Sequence, residues 1–515
     1  MLVLKQLAHE RCYFIMMKRT FFIVGMVAML QACTTVSPEA KSDYSNAMKL
    51  DSTQFNSLHD TYKEKAIKHR RFKHDEIDSL VKKHQSHAVF SVQEIGKSFE
   101  KRAIYKLRYG KGGKKVMLWS QMHGDEPTAT MALFDIFNFL EGKEDGYDSV
   151  RQLLNDNLDI HFIPMLNPDG AERYTRRNAQ YIDLNRDARV GQTVEGALLR
   201  KIAKEVKPRY GFNLHDQSIY YNVPNTKNPV TISMLAPAYN EAREVNDVRK
   251  GAMQLIVGMN NLLQQYVPDA VAKYDDTYSP RGFGDNFQSW GASTVLIESG
   301  GKKGDPEKQE IRRLNFAIIL NALMEIAQGS YAQYDADDYD KIPFNASQLH
   351  DVVLRGVDLS SDSVSLKTDI ALRRTEITVG RDYFVRGHVE DIGDLDIAYG
   401  YDELEEQGLT FVQGKTYPQA FESVDDISID RAWSLLKDGF VAVKVNSRGA
   451  DRLHNLPLVV FTQPSFTPTG QISLLGTSNF LLGSGGQLKY AVINGYLIDL
   501  SQKPSKGKVF KNRVI

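Results

Sequence analysis

The segment Gln121-Met122-His123-Gly124-Asp125-Glu126-Pro127 sets a histidine and a glutamate three residues apart at a predicted helix start. At that spacing an imidazole nitrogen and a carboxylate oxygen face the same way and can meet one Zn²⁺. Alone the pair is common, and matching parts elsewhere give it weight. Tyr210-Gly211-Phe212-Asn213-Leu214 is an apolar run that ends in His215. A second imidazole completes a set of two nitrogens and one carboxylate, which leaves the fourth position of a zinc ion open for water. The run Ser293-Thr294-Val295-Leu296-Ile297 delivers Glu298 before Ser299-Gly300-Gly301, where a general base would be presented. Read one at a time, His215 and Glu298 are equally well capping residues at strand ends.

Four parts from distant segments need a scaffold that ends several strands at one place. Between 88 and 328, strand-like runs (Ala88 to Ile95, Ala103 to Tyr109, Val116 to Ser120, Leu158 to Met165, Tyr210 to Leu214, Ser293 to Ile297) alternate with helical patterns at 127–141, 194–206, 239–266 and 306–328. Such alternation predicts an α/β fold, a mixed, mostly parallel sheet with helices on both faces and its chemistry at strand ends. Pro127 suits a first helical turn. Beyond about 340, short β runs divided by Gly, Asp and Ser turns predict a β-rich C-terminal domain, with one helical interruption near Arg431 to Leu436. The charged stretch 59–85 reads as an exposed helix. Within and beside it, His84 and His87 have the spacing of a metal pair, but no third ligand type accompanies them in sequence and a solvated face is the preferred reading.

The 64 basic and 64 acidic residues cancel, and 42% hydrophobic with 25% charged residues is the balance of a globular chain, which excludes a disordered tail protein. A zero net charge also offers no electrostatic footprint for nucleic acid. The two cysteines, Cys12 and Cys33, make no disulfide framework. Around Cys33 the order is a basic stretch from Met16 to Thr20, an apolar run from Phe21 to Leu30, then Gln31 and Ala32, the pattern of an export signal too short to span a membrane. Its end resembles the lipobox of bacterial lipoproteins, which implies lipidation of Cys33 and a location in the bacterial cell envelope. The 15 residues before Met16 lengthen the basic stretch without improving it, so translation is expected from Met16 or Met17. The expected organisation is a signal peptide over 1–32, the lipidated cysteine and a tether over 33–58, the α/β domain over 59–335 and the β-rich domain over 340–515.

Three further motifs follow the first ligand pair: Leu166-Asn167-Pro168-Asp169-Gly170, Arg176-Arg177-Asn178, and Asp183-Leu184-Asn185-Arg186-Asp187. With Ile95 to Arg102, which is similar to the family's opening strand, they make the stretch from about Phe90 to Met324 resemble the M14 zinc carboxypeptidases of the carboxypeptidase A type. That resemblance implies one Zn²⁺ per chain held by His123, Glu126 and His215, with Glu298 as catalytic base. It implies that Arg176, or Arg177 one place on, polarises the scissile carbonyl, that Asn185 and Arg186 grip a substrate's terminal carboxylate, and that Tyr278 is the mobile substrate tyrosine. The implied reaction is hydrolysis of a C-terminal peptide bond. Peptidoglycan stem peptides, small N-acyl amino acids, or an inactive cell-surface binding role are the alternatives.

Overall fold

Alternate residues of Val116-Met117-Leu118-Trp119 face opposite ways along an extended strand, and all four are fully buried, so both sides of that strand must be covered. The computed structural model, which describes residues 47–359, 364, 366–447, 452–503 and 509–515, shows how. In chain order the elements up to 328 are α1 (Ser52–Tyr62), α2 (His74–Gln85), β1 (Ser91–Lys97), β2 (Ala103–Tyr109), β3 (Lys114–Ser120), α3 (Thr128–Glu141), α4 (Asp148–Asn157), β4 (Leu158–Ile163) and α5 (Pro168–Arg173). They continue with α6 (Val194–Val206), β5 (Tyr210–Asp216), β6 (Ile232–Leu235), α7 (Asp247–Leu263), β7 (Val271–Lys273), α8 (Phe283–Ser289), β8 (Ser293–Ser299) and α9 (Gln309–Gln328).

The strands form one eight-stranded mixed sheet in the order β1-β2-β4-β3-β5-β8-β6-β7. Its centre, β4-β3-β5-β8, is parallel, whereas β1, β2 and the β6 to β8 pairing are antiparallel. Val116 and Leu118 join the large core beneath α3, α7 and α9, while Met117 and Trp119 enter a smaller core with Leu199, Phe283 and Phe287 on the other face. Trp119 stacks on Phe287 with ring centroids 4.1 Å apart. This is the expected α/β arrangement, with helices on both faces.

Local differences from the sequence reading have physical causes. The helix expected over 239–266 starts only at Asp247, because Arg243 adopts a positive φ of 54° and Asn246 caps the helix by accepting from the Arg249 N–H. β6 and β7 have only four and three residues, too few to show a period. The charged stretch 59–85 is not one exposed helix. It comprises the end of α1, which buries Phe55, Leu58 and His59, and α2, which buries Ile77, Leu80, Val81 and His84. α1 begins inside the stretch assigned to the tether, and Met48 already exchanges hydrogen bonds with the Gln328 side chain. Cys12, Met16, Met17 and Cys33 lie outside the described residues. Among the described residues no helix is long and apolar enough to cross a membrane.

After 342 the chain builds a second eight-stranded sheet that includes β9 (Leu349–Asp358), β10 (Lys367–Val379), β11 (Asp382–Gly393) and β12 (Tyr399–Glu405), with α10 (Ile429–Lys437) packed beside a small parallel sheet. It has hydrophobic cores of its own, for example Val352, Leu354, Ile370, Leu372 and Phe480. Polar links tie it to the first sheet's loops. Arg70 and Arg71 both bind Glu376, at 2.9 and 2.6 Å, and Tyr401 donates to the Ile219 carbonyl at 2.6 Å. Tyr220 donates to Asp351 at 2.6 Å. Ile219 and Tyr220 follow His215 closely in the chain, so this β-rich region borders the loop that leaves β5.

Candidate active site

Parallel strands β3, β5 and β8 all end on the same edge of the sheet, and the loops leaving them carry the predicted chemistry. His123 and Glu126 lie in the turn between β3 and α3, His215 is the sixth residue of β5, and Glu298 is the sixth of β8. His215 and Glu298 are register partners across the β5–β8 ladder. A hydrogen-bonded ladder therefore sets Glu298 beside His215, with no loop between them to tune.

The turn that carries His123 is built for close approach. Gln121 has a φ of 50°, and a Cβ on Gly124 would lie 1.9 Å from the Gly170 carbonyl carbon, so only glycine fits at 124. The facing turn is held by Asn167, which caps α5 by accepting from the Gly170 N–H and donates to the Met122 carbonyl at 3.1 Å. Asp169 is fully buried and accepts from the Ser98 hydroxyl and the Glu100 N–H. The Asn-Pro-Asp-Gly motif and the opening-strand motif are thus two sides of one structural joint under the site.

Glu126 stands between the histidines. His123 Nδ1 lies 2.8 Å from its Oε1 and His215 Nδ1 lies 2.7 Å from its Oε2. Ligand atoms of the three side chains fall within 4.8 Å of one another, and all three residues are buried. Burial alone would raise the Glu126 pKa, but the two imidazoles outweigh it and hold the carboxyl well below its ordinary range. Burial likewise works against charge on His123, yet Glu126 and Asp183 raise it to about 9. Two imidazoles and one buried carboxylate converge in a donor set that fits Zn²⁺, and the Arg176 Nη1 lies among them, 3.1 Å from His123 Nδ1.

Glu298 is shifted the opposite way. Burial first, and then the negative charge of Glu126, push its carboxyl well above the ordinary value. A carboxyl so placed accepts a proton readily, which a general base must do.

Arg176 reaches the cluster, donating Nη1 to Glu126 Oε1 at 3.0 Å and Nη2 to Asp183 Oδ2 at 3.1 Å. Arg177 turns outward and donates to the Tyr181 carbonyl, and Asn178 closes the local turn by accepting from the Gln180 and Ile182 N–H groups. Asn185 accepts from the Phe283 N–H through Oδ1 at 2.9 Å, which leaves Nδ2 as its donor end. Arg186 is exposed beside it. Tyr278 is half-buried in the loop before α8.

Two residues of consequence escaped the sequence reading. Asp183, quoted only as part of a motif, sits 2.9 Å from His123 Nε2 and so fixes which nitrogen of that ring faces Glu126. Its position two residues before Asn185 was the available signal. Tyr274 packs edge-on against Tyr221 with centroids 5.6 Å apart. Burial, then the nearby charge of Glu298, raise its phenol.

Comparison with known proteins adds the following. Residues 75–197 match the zinc carboxypeptidase family, peptidase M14, a span that contains His123, Glu126, Arg176, Asn185 and Arg186 and stops before His215 and Glu298. Carboxypeptidase SOL1 of Arabidopsis thaliana is 40% identical over 68 residues, which is 13% of this chain and 13% of that protein's length. A metallo-carboxypeptidase structure from Burkholderia cenocepacia is 18% identical, covers 50% of this chain and 70% of that one, and has a TM-score of 0.42. Carboxypeptidase A from Helicoverpa armigera is 17% identical, covering 54% of this chain and 80% of that one, with a TM-score of 0.41.

Proposed function

We propose that this protein is a zinc-dependent metallocarboxypeptidase that hydrolyses the C-terminal peptide bond of peptide substrates. The observation that carries the reading is the convergence of His123, Glu126 and His215, drawn from two strand ends, with Glu298 in register beside His215. Zinc held there supplies Lewis acidity, acidifying water and polarising a carbonyl oxygen. Glu298 takes a proton from the attacking water and passes it to the departing amine. Arg176, whose half-exposed side chain reaches Glu126, faces the charge that develops on the carbonyl oxygen. The Nδ2 donor of Asn185 and the planar fork of Arg186 bind the substrate's terminal carboxylate. Asp183 keeps the His123 ring in its ligating orientation. Tyr278, half-buried in the loop before α8, contacts the substrate.

The test is a peptide mixture and digested muropeptides incubated with the zinc-loaded protein, with mass spectrometry of the products. Loss of single residues from free C-termini, and none from C-terminally amidated copies, is the expected result. Cleavage of internal bonds, or of N-acyl amino acids alone, would overturn it, and cleavage confined to muropeptides would assign the substrate to the cell wall.

We also propose, on the signal pattern that ends at Cys33, that the chain is exported and lipid-anchored in the cell envelope. Cys33→Ser should then shift the protein from the membrane fraction to the soluble one. An unchanged distribution would refute the anchor.

A further inference from the structure

We propose a second metal site, for a divalent zinc-like cation, formed by His84, His87 and Glu141 where the C-terminal ends of α2 and α3 meet. His84 stands in the last turn of α2, His87 two residues beyond that helix, and Glu141 is the final residue of α3. His84 Nδ1 lies 2.8 Å from Glu141 Oε1, and His87 Nδ1 lies 2.8 Å from Glu141 Oε2. The three ligand atoms lie within 4.8 Å of one another. This is the arrangement at the candidate active site, where two Nδ1 atoms bracket one carboxylate at 2.8 and 2.7 Å.

The surroundings favour a cation. Two helix C-termini converge, and each contributes the partial negative charge of its last carbonyls. Glu141 is nearly buried, so its own charge calls for a partner there. The His84 ring is fully buried and packed by Phe90, Phe134 and Phe137, at centroid distances of 5.8, 5.9 and 5.5 Å. Those rings leave its Nε2 without a hydrogen-bond partner and direct Nδ1 at Glu141. His87 is 49% exposed, so the site opens to solvent and water can complete a tetrahedral shell.

α3 has 14 residues, so the site lies roughly 20 Å along the helix from the candidate active site, at ~1.5 Å per residue. A metal there would pin α2 to the end of α3 and do no chemistry. The sequence pattern showed only the histidine pair, since Glu141 is 54 positions from His87 and its approach depends on how α2 docks.

The experiment uses the full chain, stripped with a chelator, reloaded with excess zinc, desalted, and measured for metal by plasma mass spectrometry. The wild type should hold about two ions and His87→Ala about one, with an unchanged circular dichroism spectrum. Glu141→Gln should behave as His87→Ala does. His215→Ala separates the sites: it should retain about one ion, and zinc should still raise its melting temperature, while His87→Ala combined with His215→Ala should hold close to none and show no such rise. Loss of one ion on adding His87→Ala to either parent supports the site whatever becomes of the active-site assignment. A zinc content that His87→Ala and Glu141→Gln leave unchanged would mean that Glu141 is only a hydrogen-bond acceptor for two histidines, and would overturn the proposal.

Discussion

Glu298→Gln should leave the zinc content of the protein unchanged while kcat falls by at least ~10²-fold, the usual scale for losing general acid-base assistance. The substitution keeps the size of the side chain and one of its oxygens, so the β5–β8 ladder that pairs Glu298 with His215 is not disturbed. It removes only the proton acceptor. The direction of the Glu298 shift adds a second readout. Burial and the charge of Glu126 raise its pKa, and a base works only when deprotonated, so kcat/KM of the wild type should fall on the acid side through that raised pKa. The glutamine variant should lose this acid limb. Full turnover by the variant, on a peptide that the wild type cleaves, would remove Glu298 from the mechanism.

Metal retention should follow a graded series around the same centre. His215→Ala takes away one of three ligands, and the protein should lose its active-site zinc and all measurable hydrolysis. Asp183→Asn leaves the three ligands in place but replaces the carboxylate that holds His123 Nε2 at 2.9 Å, and zinc affinity should weaken by about 10- to 100-fold. The metal-free site binds a proton tightly, because Glu126 and Asp183 outweigh burial and raise His123 to about 9. Zinc must displace that proton, so its affinity should decline steadily as the pH is lowered through neutrality. Chelator competition across pH measures all three effects. An Asp183→Asn protein that binds zinc as tightly as wild type would show that the aspartate does not orient the ligand.

Much of this site could be read from the chain alone, because its parts follow short local patterns. Strands such as Val116 to Ser120 and Tyr210 to Leu214 announce themselves by buried apolar runs, and a residue that ends such a run lies at the edge of the sheet wherever the strand is placed. His123, Glu126, His215 and Glu298 were legible for that reason, as was the choice of α/β architecture. The choice between Arg176 and Arg177 was not, since neighbours in a loop point in directions that the turn closed by Asn178 decides. Glu141 shows the same limit most plainly. Nothing near it in the chain marks it as a partner of His84 and His87, and it becomes one only when α2 buries Ile77, Leu80 and Val81 against the core. Hydrophobic periodicity acts through neighbours in sequence, whereas a contact between two helix ends is made by packing of surfaces that the chain brings together from far apart.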